Sequence, residues 1–212
     1  MPFVTLASQV WPGLSHSPTL THSFVALLDK KGLLVRNYTQ NIDGLEALAG
    51  VNPERLVECH GHFRSASCIE CGAKFNGQDC KLEMVDHVRA PRCRRKRCNG
   101  LVKPDIVFFG EGLPSRFSRL LNGDLSGADL MIVMGTSLLV TPVSLIPEWL
   151  PDHCPRLLVN RELVGNFAAP NTPGNHRDAF EAGDCDETII KLCKYLGWEQ
   201  ELYELNESTK ID

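Results

Sequence analysis

Long apolar runs are missing from this 212-residue sequence, and so are internal repeats and low-complexity tracts. No stretch approaches the ~20 apolar residues that a membrane-crossing helix needs. Residues 1–11 lack the basic start and apolar centre of a secretory signal. An excess of positive charge is lacking too. The net charge is −4, which gives no reason to expect sequence-independent binding to nucleic acid. Neither a P-loop nor an evident Ser/His/Asp triad is present. Cysteine, by contrast, is plentiful, with nine residues at 59, 68, 71, 80, 93, 98, 154, 185 and 193. An odd number without a secretory leader argues against a disulfide framework. It points to a reducing, intracellular setting, without choosing among cytoplasm, nucleus and mitochondrion.

What is there is a globular composition, 43% apolar and 23% charged. The length suits one domain carrying a small additional module. Pro18 to Lys31 reads as a helix, with Leu20, Phe24, Leu27 and Leu28 on one face and Gly32 at the C-cap. Apolar runs of strand length follow at Leu33–Tyr38, Leu56–Cys59, Ile106–Phe109, Leu130–Met134 and Leu157–Val159. Each ends in a polar or glycine-containing turn. That repetition predicts an α/β fold with a parallel sheet buried on both faces. Ligands of such sheets bind outside the carboxyl ends of the strands, so the polar turns are expected to share one crevice. The last helix is expected over Glu187–Leu196, closed by Gly197. Ala168–Arg177 reads as a surface loop and Asn206–Asp212 as a frayed tail.

Ser65–Asn99 breaks the pattern and reads as an inserted module. Cys68-x2-Cys71 and Cys93-x4-Cys98 are two paired-thiolate knuckles, and each short spacing aims two sulfurs at one tetrahedral ion. Four protein ligands leave no open position, so the expected zinc is structural. Cys80 is a spare thiol, with His62 and His87 as possible substitutes. The run Arg89, Arg92, Arg94, Arg95, Lys96 and Arg97 makes the module locally basic. It is read as a solvated face in preference to a partner-binding patch.

At the strand ends, His60 precedes a glycine, and Gln40, Asn41 and Asp43 should reach the same crevice. A histidine titrating near neutrality can take a proton from a hydroxyl. Gly135-Thr136-Ser137 and Asn160-Arg161-Glu162, each following a strand, are weaker candidates for nucleotide contacts.

Taken together these residues resemble the sirtuins, the NAD-dependent protein-lysine deacylases, and most of all their eukaryotic class I branch. The carrying segments are Tyr38-Thr39-Gln40-Asn41-Ile42-Asp43-Gly44, His60-Gly61, the cysteine pairs, Lys103 through Glu111, Met134 through Leu138, and Asn160-Arg161-Glu162. The resemblance implies a Rossmann-like NAD domain over residues 1–64 and 100–205, with a zinc module over 65–99 and a flexible tail over 206–212. It implies that Gln40, Asn41, Ile42 and Asp43 line the ribose and nicotinamide end of the NAD site. His60 and Asn41 would be catalytic, with His60 the general base. Gly135, Thr136, Ser137, Asn160, Arg161, Glu162 and Cys185 would contact the adenosine half. Val107 and Phe109 would flank the acyl-lysine tunnel, and the backbone of Phe108, Gly110 and Glu111 would pair with an acetylated protein or peptide substrate. The implied products are deacylated lysine, nicotinamide and O-acyl-ADP-ribose. NAD and a structural Zn2+ are the expected cofactors; neither nucleic acid nor a membrane is an expected partner.

The sequence departs from the resemblance at its start. The first strand of the family, its Gly-Ala-Gly phosphate loop and the Asp-Phe-Arg segment do not occur. The expectation is therefore a sheet incomplete at its N-terminus and a truncated chain of little or no activity by itself. Two alternatives share the same residues: a catalytically inactive zinc-bearing interaction module, and mono-ADP-ribosyl transfer.

Overall fold

The computed structural model describes residues 2–12 and 16–210. Two helices come first, α1 (Pro2–Val10) and α2 (Leu20–Lys30). The Thr19 backbone N–H donates to His22 Nδ1 at 3.2 Å and caps the start of α2. Gly32, at φ +71°, ends it where an L side chain would be strained. Phe24 and Leu27 are buried as the 3.6-residue period requires.

Strand β1 (Asn37–Thr39) is shorter than the apolar run Leu33–Tyr38 suggests. Leu33 and Val35 face solvent, and of the residues before the strand Leu34 packs on a core. Arg36 is held by the Asp124 carboxylate at 2.8 and 2.9 Å, which anchors the chain just before the strand. An apolar run alone does not separate a strand from a segment crossing the rim of a core. The short helix α3 (Leu45–Leu48) leads to β2 (Leu56–Glu58), which pairs in parallel with β1.

The next segment was not legible as strand. Strands β3 (Gly61–Cys68), β4 (Lys74–Asn76) and β5 (Val102–Ile106) form an antiparallel sheet in the order β4-β3-β5. Helix α4 (Gly77–Lys81) continues into a wider turn over Leu82–Asp86. The expected strand Ile106–Phe109 thus lies mostly earlier, at β5. Pro104 obscures it in the sequence, yet β5 is an edge strand, where a missing N–H is tolerated.

Helix α5 (Ser115–Gly127) buries Phe117, Leu121 and Leu125 at a spacing of four. Strands β6 (Met131–Met134), β7 (Arg156–Asn160) and β8 (Asp178–Ala182) pair in parallel, with the short helix α6 (Ile146–Trp149) before β7. Helices α7 (Cys185–Leu196) and α8 (Glu199–Glu207) follow, and the expected loop over 168–177 lies before β8. Asn206 and Glu207 belong to α8, so the tail is shorter than expected; residues 211 and 212 lie outside the described residues.

Among the described residues the two parallel sheets share no backbone ladder. Side chains join them instead. Leu56 shares a core with Ile132, Met134 and the α2, α7 and α8 faces, while Val57 shares another with Met131 and the α5 face. A third core, holding Trp11, Phe63, Met84 and Ile106, lies between α1 and the antiparallel sheet. No helix among the described residues is long and apolar enough to cross a membrane.

Candidate active site and metal centre

Because β1 and β2 run parallel, their carboxyl ends lie side by side, and Gln40 and His60 follow those ends. The Cys59 N–H donates to Thr39 O at 2.9 Å, which carries the ladder one step past the strands. His60 Nδ1 then sits 2.6 Å from the carbonyl oxygen of Gln40. A carbonyl only accepts, so Nδ1 carries a proton, and in the neutral ring the lone pair is then on Nε2. The end of β6 joins the same group: Thr136 Oγ1 donates to Gln40 Oε1 at 3.2 Å. The structure thus brings His60, Gln40 and Thr136 together.

The turn after β1 is ordered from beneath. The Asn41 N–H donates to Thr39 Oγ1 at 3.1 Å, and Asn41 is exposed. Asp43 Oδ1 accepts the Leu45 N–H at 3.1 Å and is partly committed to starting α3. Ile42 packs toward the core of the antiparallel sheet. Cys59, directly before His60, is buried, and burial pushes its thiol up to about 12. It is inert at neutral pH.

Beyond Thr136, the ends of β6 and β7 and the start of α7 hold the other candidate residues. Gly135 closes against β7 through its N–H to Val159 O at 3.1 Å. A Cβ on Gly135 would lie 3.4 Å from Cys185 Sγ. Cys185 in turn lies 3.6 Å from Val159 O. Asn160 Nδ2 donates to Glu162 O at 2.8 Å, and Arg161 reaches Asp184 at 3.5 Å. Ser137, Arg161 and Glu162 are exposed beyond these strand ends.

The wall beside His60 comes from β5. The Val107 N–H donates to His60 O at 2.7 Å. Gly61 permits this approach, since a Cβ there would lie 2.1 Å from Asp105 O. Phe108 to Glu111 form a tight turn in place of the expected strand. The Phe108 N–H donates to Glu111 Oε2 at 2.9 Å, and Lys103 Nζ reaches the same oxygen at 3.0 Å. Those two contacts, the backbone one first, hold the Glu111 carboxyl below its ordinary range. Phe109 stands 99% exposed at the tip of this turn.

The four sulfurs of Cys68, Cys71, Cys93 and Cys98 all lie within 4.8 Å of one another. The Cys68–Cys98 and Cys71–Cys93 separations are 3.6 and 3.7 Å. Four thiolates at ~2.3 Å from one ion stand about 3.8 Å apart, so the cluster has the dimensions of a tetrahedral zinc site. The first knuckle turns through Gly72, whose N–H donates to Cys68 O at 2.9 Å. The longer second loop is taken up by positive φ at Arg97 and Asn99. Cys80 is no ligand: it is buried beside Met84, and burial pushes its thiol up to about 12. His62 and His87 lie outside the cluster.

Two supports had no signal in the sequence. Tyr38 Oη donates to Asp124 at 2.6 Å, so this carboxylate takes both Arg36 and Tyr38 and ties β1 to α5. Arg156 and Asp178 form a buried two-point pair at 2.6 and 2.6 Å between β7 and β8. Their partners are distant along the chain, where no spacing rule applies.

The profile of the Sir2 family matches residues 1–142. The chain is 45% identical to the NAD-dependent protein deacetylase sirtuin-3 of Mus musculus over 100% of this chain and 61% of the relative. It is 44% identical to the NAD-dependent deacetylase sir2D of Dictyostelium discoideum, over 93% of this chain and 35% of the relative. It is likewise 44% identical to the NAD-dependent protein deacetylase sirtuin-1 of Homo sapiens, over 93% of this chain and 25% of the relative. The chain therefore spans between a quarter and about three fifths of the length of these relatives.

Proposed function

Because this chain belongs to the Sir2 family, we propose that it carries the ribose-proximal and acyl-lysine-proximal part of an NAD-dependent protein-lysine deacetylase. The observation that carries this reading is the 2.6 Å contact between His60 Nδ1 and Gln40 O. That contact supports the neutral tautomer with its proton on Nδ1, in which Nε2 is available as the base.

NAD, when bound, supplies a ribose carbon open to attack by the acyl oxygen, with nicotinamide as leaving group. The chain's own residues divide the remaining work. His60 Nε2 accepts the proton of a ribose hydroxyl. The exposed amide of Asn41 and the free oxygen of Asp43 orient the ribose and the leaving amide. Val107, beside His60, and Phe109, exposed at the tip of the neighbouring turn, offer apolar side chains that would flank a neutral acyl-lysine. Gly135, Thr136, Ser137, Asn160, Arg161, Glu162 and Cys185 supply polar and backbone contacts for the adenosine half. Cys68, Cys71, Cys93 and Cys98 would hold a zinc ion with no open position for chemistry, and the ion would fix the sheet that carries His60 and Val107. The 212 residues contain no Gly-Ala-Gly phosphate loop, and we expect slow turnover from them alone.

The test follows nicotinamide release and deacetylation of an acetyl-lysine peptide by the zinc-loaded chain. Deacetylation should require NAD and fall by about 10²–10⁴-fold in His60→Ala. Deacetylation independent of NAD, or undiminished in His60→Ala, refutes the proposal.

A further inference from the structure

The zinc module carries a charge opposite to that of the rest of the chain. Residues 65–99 hold eight basic and four acidic side chains, a net +4, which leaves −8 for the remainder. Four thiolates on one Zn2+ form a dianion, so the loaded module still keeps two positive charges in excess. Arg94, Arg95, Lys96 and Arg97 are consecutive and all exposed. Arg95, Lys96 and Arg97 form no ion pair among the described residues. The other cations are partly committed: Arg94 lies 3.7 Å from Asp79, and Arg89 engages Glu83. A merely solvated face would need nothing more.

The structure adds a groove of about 380 Å³ beside this run. Its floor includes Phe75, Pro91 and Val102, and Arg92 and Arg94 stand at its rim. Val102 and Pro91 are buried, so the floor is firm and apolar, while three arginines, Arg89, Arg92 and Arg94, outnumber the two carboxylates of Asp79 and Glu83 in the lining. An apolar trough with cations in excess at its edge, next to the unpaired Arg95, Lys96 and Arg97, suits a ligand with apolar side chains and flanking carboxylates.

We propose that this groove and the Arg94–Arg97 run form a docking surface for an acidic protein segment, one that carries apolar side chains between glutamates or aspartates. Charge complementarity favours protein over nucleic acid. A polyphosphate backbone extending past the module would meet the −8 of the remainder, and no exposed aromatic side chain lies among the cations for bases to stack on. The surface is independent of the crevice chemistry, and its test reads no catalysis.

The probe is a fluorescein-labelled peptide of alternating Glu and Leu, titrated with the zinc-loaded chain and read by anisotropy. Its Gln–Leu counterpart and a labelled oligothymidylate serve as comparisons. Saturable binding is expected to the Glu–Leu peptide, weakening as salt rises. Binding should be about tenfold weaker to Gln–Leu, and about tenfold weaker for Arg95→Glu/Lys96→Glu. That variant must keep one zinc per chain and its melting temperature. If it does not, Arg95→Gln/Lys96→Gln replaces it, with a smaller loss expected. Equal binding of the two peptides, undiminished binding by a folded variant, or tighter binding of the oligothymidylate overturns the proposal.

Discussion

Arg156→Met should cost the fold about 3–5 kcal/mol, because it leaves the Asp178 carboxylate buried without its cation. The side chains of Arg156 and Asp178 are 3% and 4% exposed. The guanidinium meets both Asp178 oxygens, donates to Pro147 O at 2.7 Å and to Asn166 Oδ1 at 3.0 Å, and lies 4.6 Å from the centre of the Phe167 ring. Methionine retains the apolar stem and removes every donor. Asp178 then keeps one strong partner, the Ala168 N–H at 2.7 Å. Burial raises the Asp178 carboxyl, but Arg156 and Ala168 outweigh it and hold the group below its ordinary range. A depressed carboxylate contributes stability above its unfolded value of about 3.9, and loses it as pH falls through the folded value. In Arg156→Met the sign reverses, since the desolvated carboxyl is raised and escapes by taking a proton. Urea unfolding from pH 7 to pH 4 should therefore show the gap to wild type narrowing. Arg156→Met/Asp178→Leu should recover much of the loss, because the stranded charge is gone. A single-variant cost under about 1 kcal/mol, or a double variant as unstable as the two singles summed, would refute the reasoning.

Metal analysis should find one zinc per chain; a strong chelator should remove it together with much of the order of residues 61–106, since a tetrathiolate site contributes on the order of 10 kcal/mol. Circular dichroism unchanged after chelation would contradict a structural role. Gly50→Ala and Gly61→Ala carry the same positive-φ cost, about 1–2 kcal/mol, but only Gly61 has backbone atoms in the way of a Cβ. Gly61→Ala should lose about 2 kcal/mol more than Gly50→Ala in urea, and equal losses would remove the steric account. Asp124→Asn should loosen β1 through both Arg36 and Tyr38 and cost about 2 kcal/mol, visible as faster hydrogen exchange at residues 37–40; unchanged exchange there would show that the tie is dispensable.

Local signals were legible in the sequence, and distant ones were not. The α2 stripe and Gly32, the α7 stop at Gly197 and the parallel strands β2, β6 and β7 follow from periodicity and turn chemistry. The zinc ligands follow from spacing, because both knuckles close within a few residues. His60 and Gln40 could be paired because parallel strands bring their carboxyl ends together. The antiparallel sheet stayed hidden for physical reasons. β3 alternates small and polar residues, with Ser65, Ala66 and Ser67 in place of β-branched ones, and β5 contains a proline. The strand expected over Leu33–Tyr38 is mostly an apolar loop, because its length matched a strand and its burial did not. The Arg36–Asp124 and Arg156–Asp178 pairs needed the fold itself to bring them together.

The register of β3 on β5 sets how this protein can be recombined with its relatives. Gly61 faces Ile106 at one end of the pairing and Cys68 faces Val102 at the other, with an irregularity between Gly61 and Ala66. One end carries a metal ligand and the other abuts His60. A graft cut at residues 65 and 99 would splice through a strand and exchange half a ladder, along with whatever offset the donor's irregularity has. A one-residue mismatch would turn every side chain of the joined strand to the opposite face. Chimeras should thus be cut at the turns before Gly61 and after Ile106, so that both strands travel together as one heritable block.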